Sequence, residues 1–305
     1  MGLIGLIGLT GLAVGGARTP VRPVVTSSRI RPQHRRSPSL RAELAGCCAG
    51  GDRGHVQHMS DIGFFARRYG PPPHEDRPAT VLVHGLGLSG RYFVPLARRL
   101  AANGATVVVP DLPGNARSRA AARRAPDVEQ LADALAGLHR RLSLGPSLIV
   151  ANSVGCQVVA ALAARHPHLV SRLVLVGPAL EPRVSGWRQF GRLVADAPKE
   201  PLGLLWLAAF DYLVTGPLRC AASFHRSLRD AGESFEVNLS QVRAPTLVVR
   251  GAGDTIASGT WTRRVAGLVA DGRAEDIPGA AHAAHYSAPD AMATLIEKFT
   301  AGETG

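Results

Sequence analysis

Lysine is nearly missing from this chain: of 35 basic residues only Lys199 and Lys298 are lysine, and the rest are arginine. With 34 glycines and 22 prolines alongside, that reads as compositional bias rather than a surface built for polyanions, although the net charge is +12. Aromatic residues are also few, at 5%. The arginines are not interleaved with them, as a nucleic-acid surface would need, so no nucleic-acid partner is expected. Cysteine occurs only at positions 47, 48, 156 and 220. No disulfide framework is visible, which points to a reducing compartment and a cytoplasmic location. Long apolar runs are absent as well. Met1 to Ala17 is short, glycine-rich and lacks a positive leading segment, and Leu202 to Phe210 is shorter still. No stable membrane span is expected; a weak N-terminal signal or anchor is the alternative.

What remains is a chain of 305 residues, 46% of them hydrophobic, which is enough for a sizeable core. Residues 1–60 hold eight arginines and two acids, show no apolar period, and read as a disordered extension. Met59 lies just before the ordered pattern and is an alternative start, to be checked by N-terminal mapping of native protein. Cys47, Cys48, His55 and His58 match no standard zinc spacing, and no metal is expected there.

From Asp61 onward strands and helices alternate. Ala79 to Val83, Thr106 to Val109, four residues at the start of the stretch from Ser147, and Arg172 to Val176 read as largely apolar strands. Such runs predict an α/β fold with a doubly wound, mostly parallel sheet covered on both faces. Asp127 with Gln130 predicts a capping box ahead of the helix carrying Val128, Leu131, Leu135, Leu138 and Leu142. Between residues 179 and 240 the alternation breaks into a helical stretch with seven of the fifteen aromatics, and the sheet resumes at Ala244-Pro245. Residues 61–178 and 241–305 therefore read as one core and 179–240 as an inserted helical cap. Trp187, Phe190, Trp206, Phe210 and Tyr212 are the candidates for lining an apolar pocket, with His84 on the core side.

The centre of the pattern is S-L-I-V-A-N-S-V-G-C, residues 147–156. It predicts a strand, a tight turn at Ser153 and a helix from about Cys156 to Arg165. Small residues at Ala151 and Gly155 suit a strained elbow that lifts a serine hydroxyl clear of the sheet and aims the N–H of Val154 at an adjacent anion. The alternative is that Ser153 merely caps a helix. A serine nucleophile needs a base near neutral pKa and an acid to hold its tautomer. Asp254 and His282 follow later strands in that order; Asp276 and Asp211 are the competing acids, and His285 the competing base.

H-G-L-G at 84–87, D-L-P-G-N-A-R-S at 111–118, G-A-G-D-T-I at 251–256 and P-G-A-A-H at 278–282 appear in order around this elbow. Over about residues 62–301 the chain resembles the α/β-hydrolases with a helical cap. Alanine stands at 116 and 281, as at 151, where that pattern commonly has glycine. The resemblance implies a Ser153–His282–Asp254 triad, an oxyanion site made by the N–H groups of Leu86 and Val154, and no cofactor. It implies hydrolysis of an ester-type bond in a small apolar substrate, as in carboxylesterases or lactonases. Carbon–carbon bond hydrolases, thioesterases, acyltransferases and cofactor-free perhydrolases share the fold and stay open. A non-catalytic binding protein on the same fold is the alternative of another class. Nothing in the sequence gives the oligomeric state.

Overall fold

The computed structural model of the chain describes residues 55–59, 64–74, 78–122 and 124–302. Eight strands form one sheet: β1 (His55–Met59), β2 (Phe64–Tyr69), β3 (Thr80–Val83), β4 (Val107–Asp111), β5 (Ser147–Asn152), β6 (Val170–Val176), β7 (Thr246–Gly251) and β8 (Gly272–Ile277). Their order across the sheet is β1-β2-β4-β3-β5-β6-β7-β8. The pairings from β4 to β8 are parallel, and β1 and β2 are added antiparallel at one edge. The first described strand, β1, precedes Asp61, where the apolar pattern starts in the sequence; it pairs with β2 through backbone bonds and needs no apolar period of its own. The side chains of Cys47, Cys48, His55 and His58 lie outside the described residues.

Five helices flank the sheet: α1 (Val94–Ala102), α2 (Val128–Leu142), α3 (Gly155–Arg165), α8 (Gly259–Leu268) and α10 (Pro289–Ala301), with the single turn α9 (Ala284–Ser287) before the last. One core layer joins α2, α3 and α8 to the sheet through Leu135, Leu138, Leu162, Ile149, Leu173 and Trp261. The other joins α1 and α10 through Phe93, Leu96, Met292, Ile296 and the opposite faces of β3 to β7. The strands read as unbroken apolar runs because both of their faces are covered. The Asp127–Gln130 capping box forms as expected.

Between β6 and β7 the chain folds into α4 (Gly186–Asp196), α5 (Leu202–Thr215), α6 (Pro217–Glu233) and α7 (Phe235–Gln241). Among the described residues no helix is long and apolar enough to cross a membrane.

Candidate active site

The turn after β5 holds Ser153 at φ 59°, a left-handed conformation that a residue with a side chain adopts only at a cost. Its N–H donates to the carbonyl of Val176 at 2.9 Å, and α3 begins two residues later. Gly155 is glycine for a steric reason: a Cβ there would stand 2.8 Å from the carbonyl oxygens of Val83 and His84. Ala151 is under no such restriction. It is fully buried in the core, and its methyl group packs there, which accounts for alanine at that position. The loop 84–87 abuts the elbow so closely that a Cβ on Gly85 would lie 3.1 Å from Cβ of Ser153.

Asp254 and His282 are both buried and joined by a 2.9 Å bond from Nδ1–H to Oδ2. The other carboxylate oxygen accepts the N–H groups of Ile256 at 2.7 Å and Ala257 at 3.0 Å. Burial alone would raise the pKa of Asp254, but His282 and those two N–H groups outweigh it and the carboxyl is held below its usual range. For His282, burial alone would lower the pKa. The carboxylates of Asp254, Asp196 and Glu200 outweigh it, and the imidazole is pushed above its ordinary value. Nε2 of His282 is buried and makes no hydrogen bond.

The competing residues are engaged elsewhere. Asp276 pairs with Arg250 at 2.9 Å, and Asp211 accepts Ser89 Oγ at 2.6 Å and pairs with Arg91. The ring of His285 lies 4.2 Å from those of Tyr92, edge-on, and Phe93, tilted, with neither ring nitrogen bonded. His84 is fully buried. Its Nε2 accepts the N–H of Leu112 at 2.8 Å, so the proton sits on Nδ1, which donates to the carbonyl of Gly85 at 2.8 Å. Burial holds its pKa low, and the neutral ring serves to fix the loop. Asp111 accepts the N–H of Gly90 at 2.7 Å and steadies the chain before α1.

Of the proposed pocket aromatics, only Tyr212 reaches the site loop: its ring would lie 2.6 Å from a Cβ on Gly87. Trp187, Phe190, Trp206 and Phe210 are 86, 49, 77 and 55% exposed and stand at the surface. Helix α5 is apolar on both sides: Leu204 and Tyr212 take the inward positions, and Trp206 and Phe210 face out. A small cavity does border the loop, between Leu86, Val154 and Gly155 on one side and Asn115, Ser223 and Arg226 on the other. His84 lines it too, whereas the four exposed aromatics do not.

Several residues that sequence reading passed over organise the site. Asn152 accepts the Tyr92 hydroxyl and donates to the carbonyls of Val176 at 3.1 Å and His282 at 3.2 Å. A buried amide ending an apolar strand, directly before Ser153, was the available signal. Gly177, at φ 51°, leaves room beside the Asp254–His282 bond. Asp196 accepts the N–H of His282 at 3.3 Å, and Glu200 accepts that of Ala283 at 2.6 Å. These last two contacts join the cap to the histidine loop across more than eighty residues, and no local pattern announces them. Among the described residues no cluster suited to a metal ion is present.

The comparisons with known proteins bear on the fold. The family model described as alpha/beta hydrolase fold matches residues 78–200. Pimeloyl-[acyl-carrier protein] methyl ester esterase of Aromatoleum aromaticum is 29% identical over 74% of this chain and the whole of that protein. The magnesium-chelatase 30 kDa subunit of Rhodobacter capsulatus is 36% identical over 35% of this chain, and the match spans only 36% of that subunit. Among solved structures, the enol-lactonase from Burkholderia xenovorans LB400 superposes with a TM-score of 0.62 at 23% identity, over 78% of this chain and 96% of that one. The elbow, the sheet order with its helical insertion between β6 and β7, and these matches together show that the chain has the α/β-hydrolase fold.

Proposed function

We propose that this hydrolase cleaves an ester-type bond of a small apolar substrate through Ser153, His282 and Asp254. The observation that carries the reading is the buried Asp254–His282 bond, whose far nitrogen, Nε2, is left unbonded. An imidazole tethered at Nδ1 by an ionised carboxylate keeps Nε2 as its basic atom. In the proposed reaction Nε2 takes the hydroxyl proton of Ser153 as Oγ attacks the carbonyl carbon. The N–H groups of Leu86 and Val154 hold the resulting oxyanion. His282 then passes its proton to the departing alcohol. Water clears the acyl-enzyme by the same exchange, with His282 again as base and then acid.

The strained φ of Ser153 supports this reading, because left-handed backbone at a residue with a side chain is kept where the surroundings enforce it. So does the likeness to a protein named as a methyl ester esterase. Intact-mass analysis after fluorophosphonate treatment tests it. Wild type is expected to gain one adduct and Ser153→Ala none. A folded wild type that stays unlabelled would overturn the assignment.

A further inference from the structure

Helix α5 is L-G-L-L-W-L-A-A-F-D-Y-L-V-T, apolar almost all the way round. Such a helix is normally enclosed on every side. Here Leu204, Asp211 and Thr215 face the core, and an outer stripe of Leu202, Trp206, Phe210 and Leu213 is exposed. That stripe falls at i, i+4, i+8 and i+11, a continuous line along a helix of 14 residues, about 21 Å long. Helix α4 repeats the arrangement: Gln189 and Asp196 are buried, while Trp187, Phe190 and Val194 are exposed. A patch of this kind on a water-soluble fold marks a contact surface.

Charge identifies what the surface meets. Residues 183–218 contain three acids and none is exposed. Asp196 and Asp211 are buried against their partners, and Glu200 is half-buried against the N–H of Ala283. Arg183, Arg188 and Lys199 are exposed over the same span. The outer sides of these two helices are thus apolar with no exposed carboxylate, and the exposed basic groups are Arg188 on α4 with Arg183 and Lys199 in the flanking segments, Lys199 also donating to the carbonyl of Gly253. A second copy of the chain docked on it would set like charges opposite each other with no acid on either side to answer them. Exposed tryptophans beside basic residues suit the headgroup layer of a bilayer, where the ring bridges apolar and polar zones. At 14 residues α5 is too short to cross one, so it would lie in the surface.

We propose that the outer face of α4 and α5 docks the protein on an anionic lipid bilayer. This goes beyond the hydrolytic reading and does not depend on it. The test is co-sedimentation of the full chain with vesicles of phosphatidylcholine alone or with roughly one-third phosphatidylglycerol, at about 0.1 M salt. Binding is expected to the anionic vesicles and to fall at least about tenfold in Trp187→Glu/Trp206→Glu. An unchanged thermal midpoint checks that this variant is folded. If the variant does not fold, the wild type decides. Trp187 and Trp206 are exposed and the third tryptophan, Trp261, is buried, so brominated lipid in the vesicles should quench the emission of the exposed pair. No binding, no quenching, or binding that persists in the folded double variant (as it would through the arginine-rich first 54 residues) overturns the proposal. So does a dimer in sedimentation velocity that the double substitution dissociates, because the occupant would then be a second copy.

Discussion

Gly177 shows how much a single position constrains the site. It follows β6 at φ 51°, and a Cβ there would stand 2.9 Å from both Oδ2 of Asp254 and Nδ1 of His282. Gly177→Ala therefore forces the two apart at the bond that holds them. On the proposed mechanism, kcat/KM for a model ester falls about a hundredfold, as displacements near 1 Å can produce. Strain adds about 1–2 kcal/mol of destabilisation, read from urea unfolding. Near-normal turnover in the substituted protein would mean that the bond is not needed in its present geometry. The charges around His282 lead to a second prediction. Asp254, Asp196 and Glu200 favour its protonated form, so its pKa lies above the ordinary value. The reaction needs the neutral ring, hence activity should fall with decreasing pH along a limb placed above about 6.5. Glu200→Gln keeps an acceptor for the N–H of Ala283 and removes one negative charge. The limb should then move to lower pH, and a limb that stays in place removes Glu200 from the electrostatics of the site.

At the scale of elements, the cap is tied to the core at the loops that carry the proposed chemistry. Thr215, the last residue of α5, accepts the N–H of Ala116 at 3.0 Å and donates to the carbonyl of Gly87 at 3.0 Å. Thr215→Val keeps the shape and removes both bonds, leaving two backbone groups buried without partners. A loss of about 1–3 kcal/mol is expected in urea unfolding. A lower kcat with little change in KM should accompany it, because the bond to Gly87 anchors the loop that holds Leu86. An unchanged kcat would detach the cap from loop 84–87. These tertiary ties also explain what could be read from sequence and what could not. The strands were legible because a strand covered on both faces must be apolar throughout, and the turn at Ser153 because the close approach of loop 84–87 demands glycine at 155. Asp254 and His282 were legible from their place after strands and from resemblance. The direction of the cap aromatics was not: α5 is apolar on both sides, so period alone cannot say which side faces the core. Asp196 and Glu200 were equally hidden, since an acid that accepts a distant N–H looks like any surface acid until the chain is folded.

The whole molecule buries several histidines that its stability depends on keeping neutral. For His84, His139 and His285, burial holds the pKa below the ordinary value, and His285 also feels His282. Below pH 6.5 the unfolded chain binds protons that the folded state refuses at these rings, so stability falls as pH decreases toward the lowered values. Each contributes a slope of about 1.4 kcal/mol per pH unit in that window. His282 behaves in the opposite sense. Its raised pKa adds stability that is fully present below 6.5 and fades as pH rises through the raised value, so it does not flatten the acid slope. The net charge of +12 grows as histidines protonate, and self-repulsion acts in the same direction as the buried rings. Urea midpoints measured between pH 7 and pH 5 should therefore drop, with Asp230, whose carboxyl burial pushes up to about 6, offsetting part of the slope by taking up a proton in the folded state. His285 lies between Tyr92 and Phe93 with both nitrogens unbonded, so His285→Phe removes no hydrogen bond. That variant should lose about 1.4 kcal/mol per pH unit of the slope. An acid slope identical to that of wild type would mean that self-repulsion and the other rings, rather than His285, set the lower limit of the folded range.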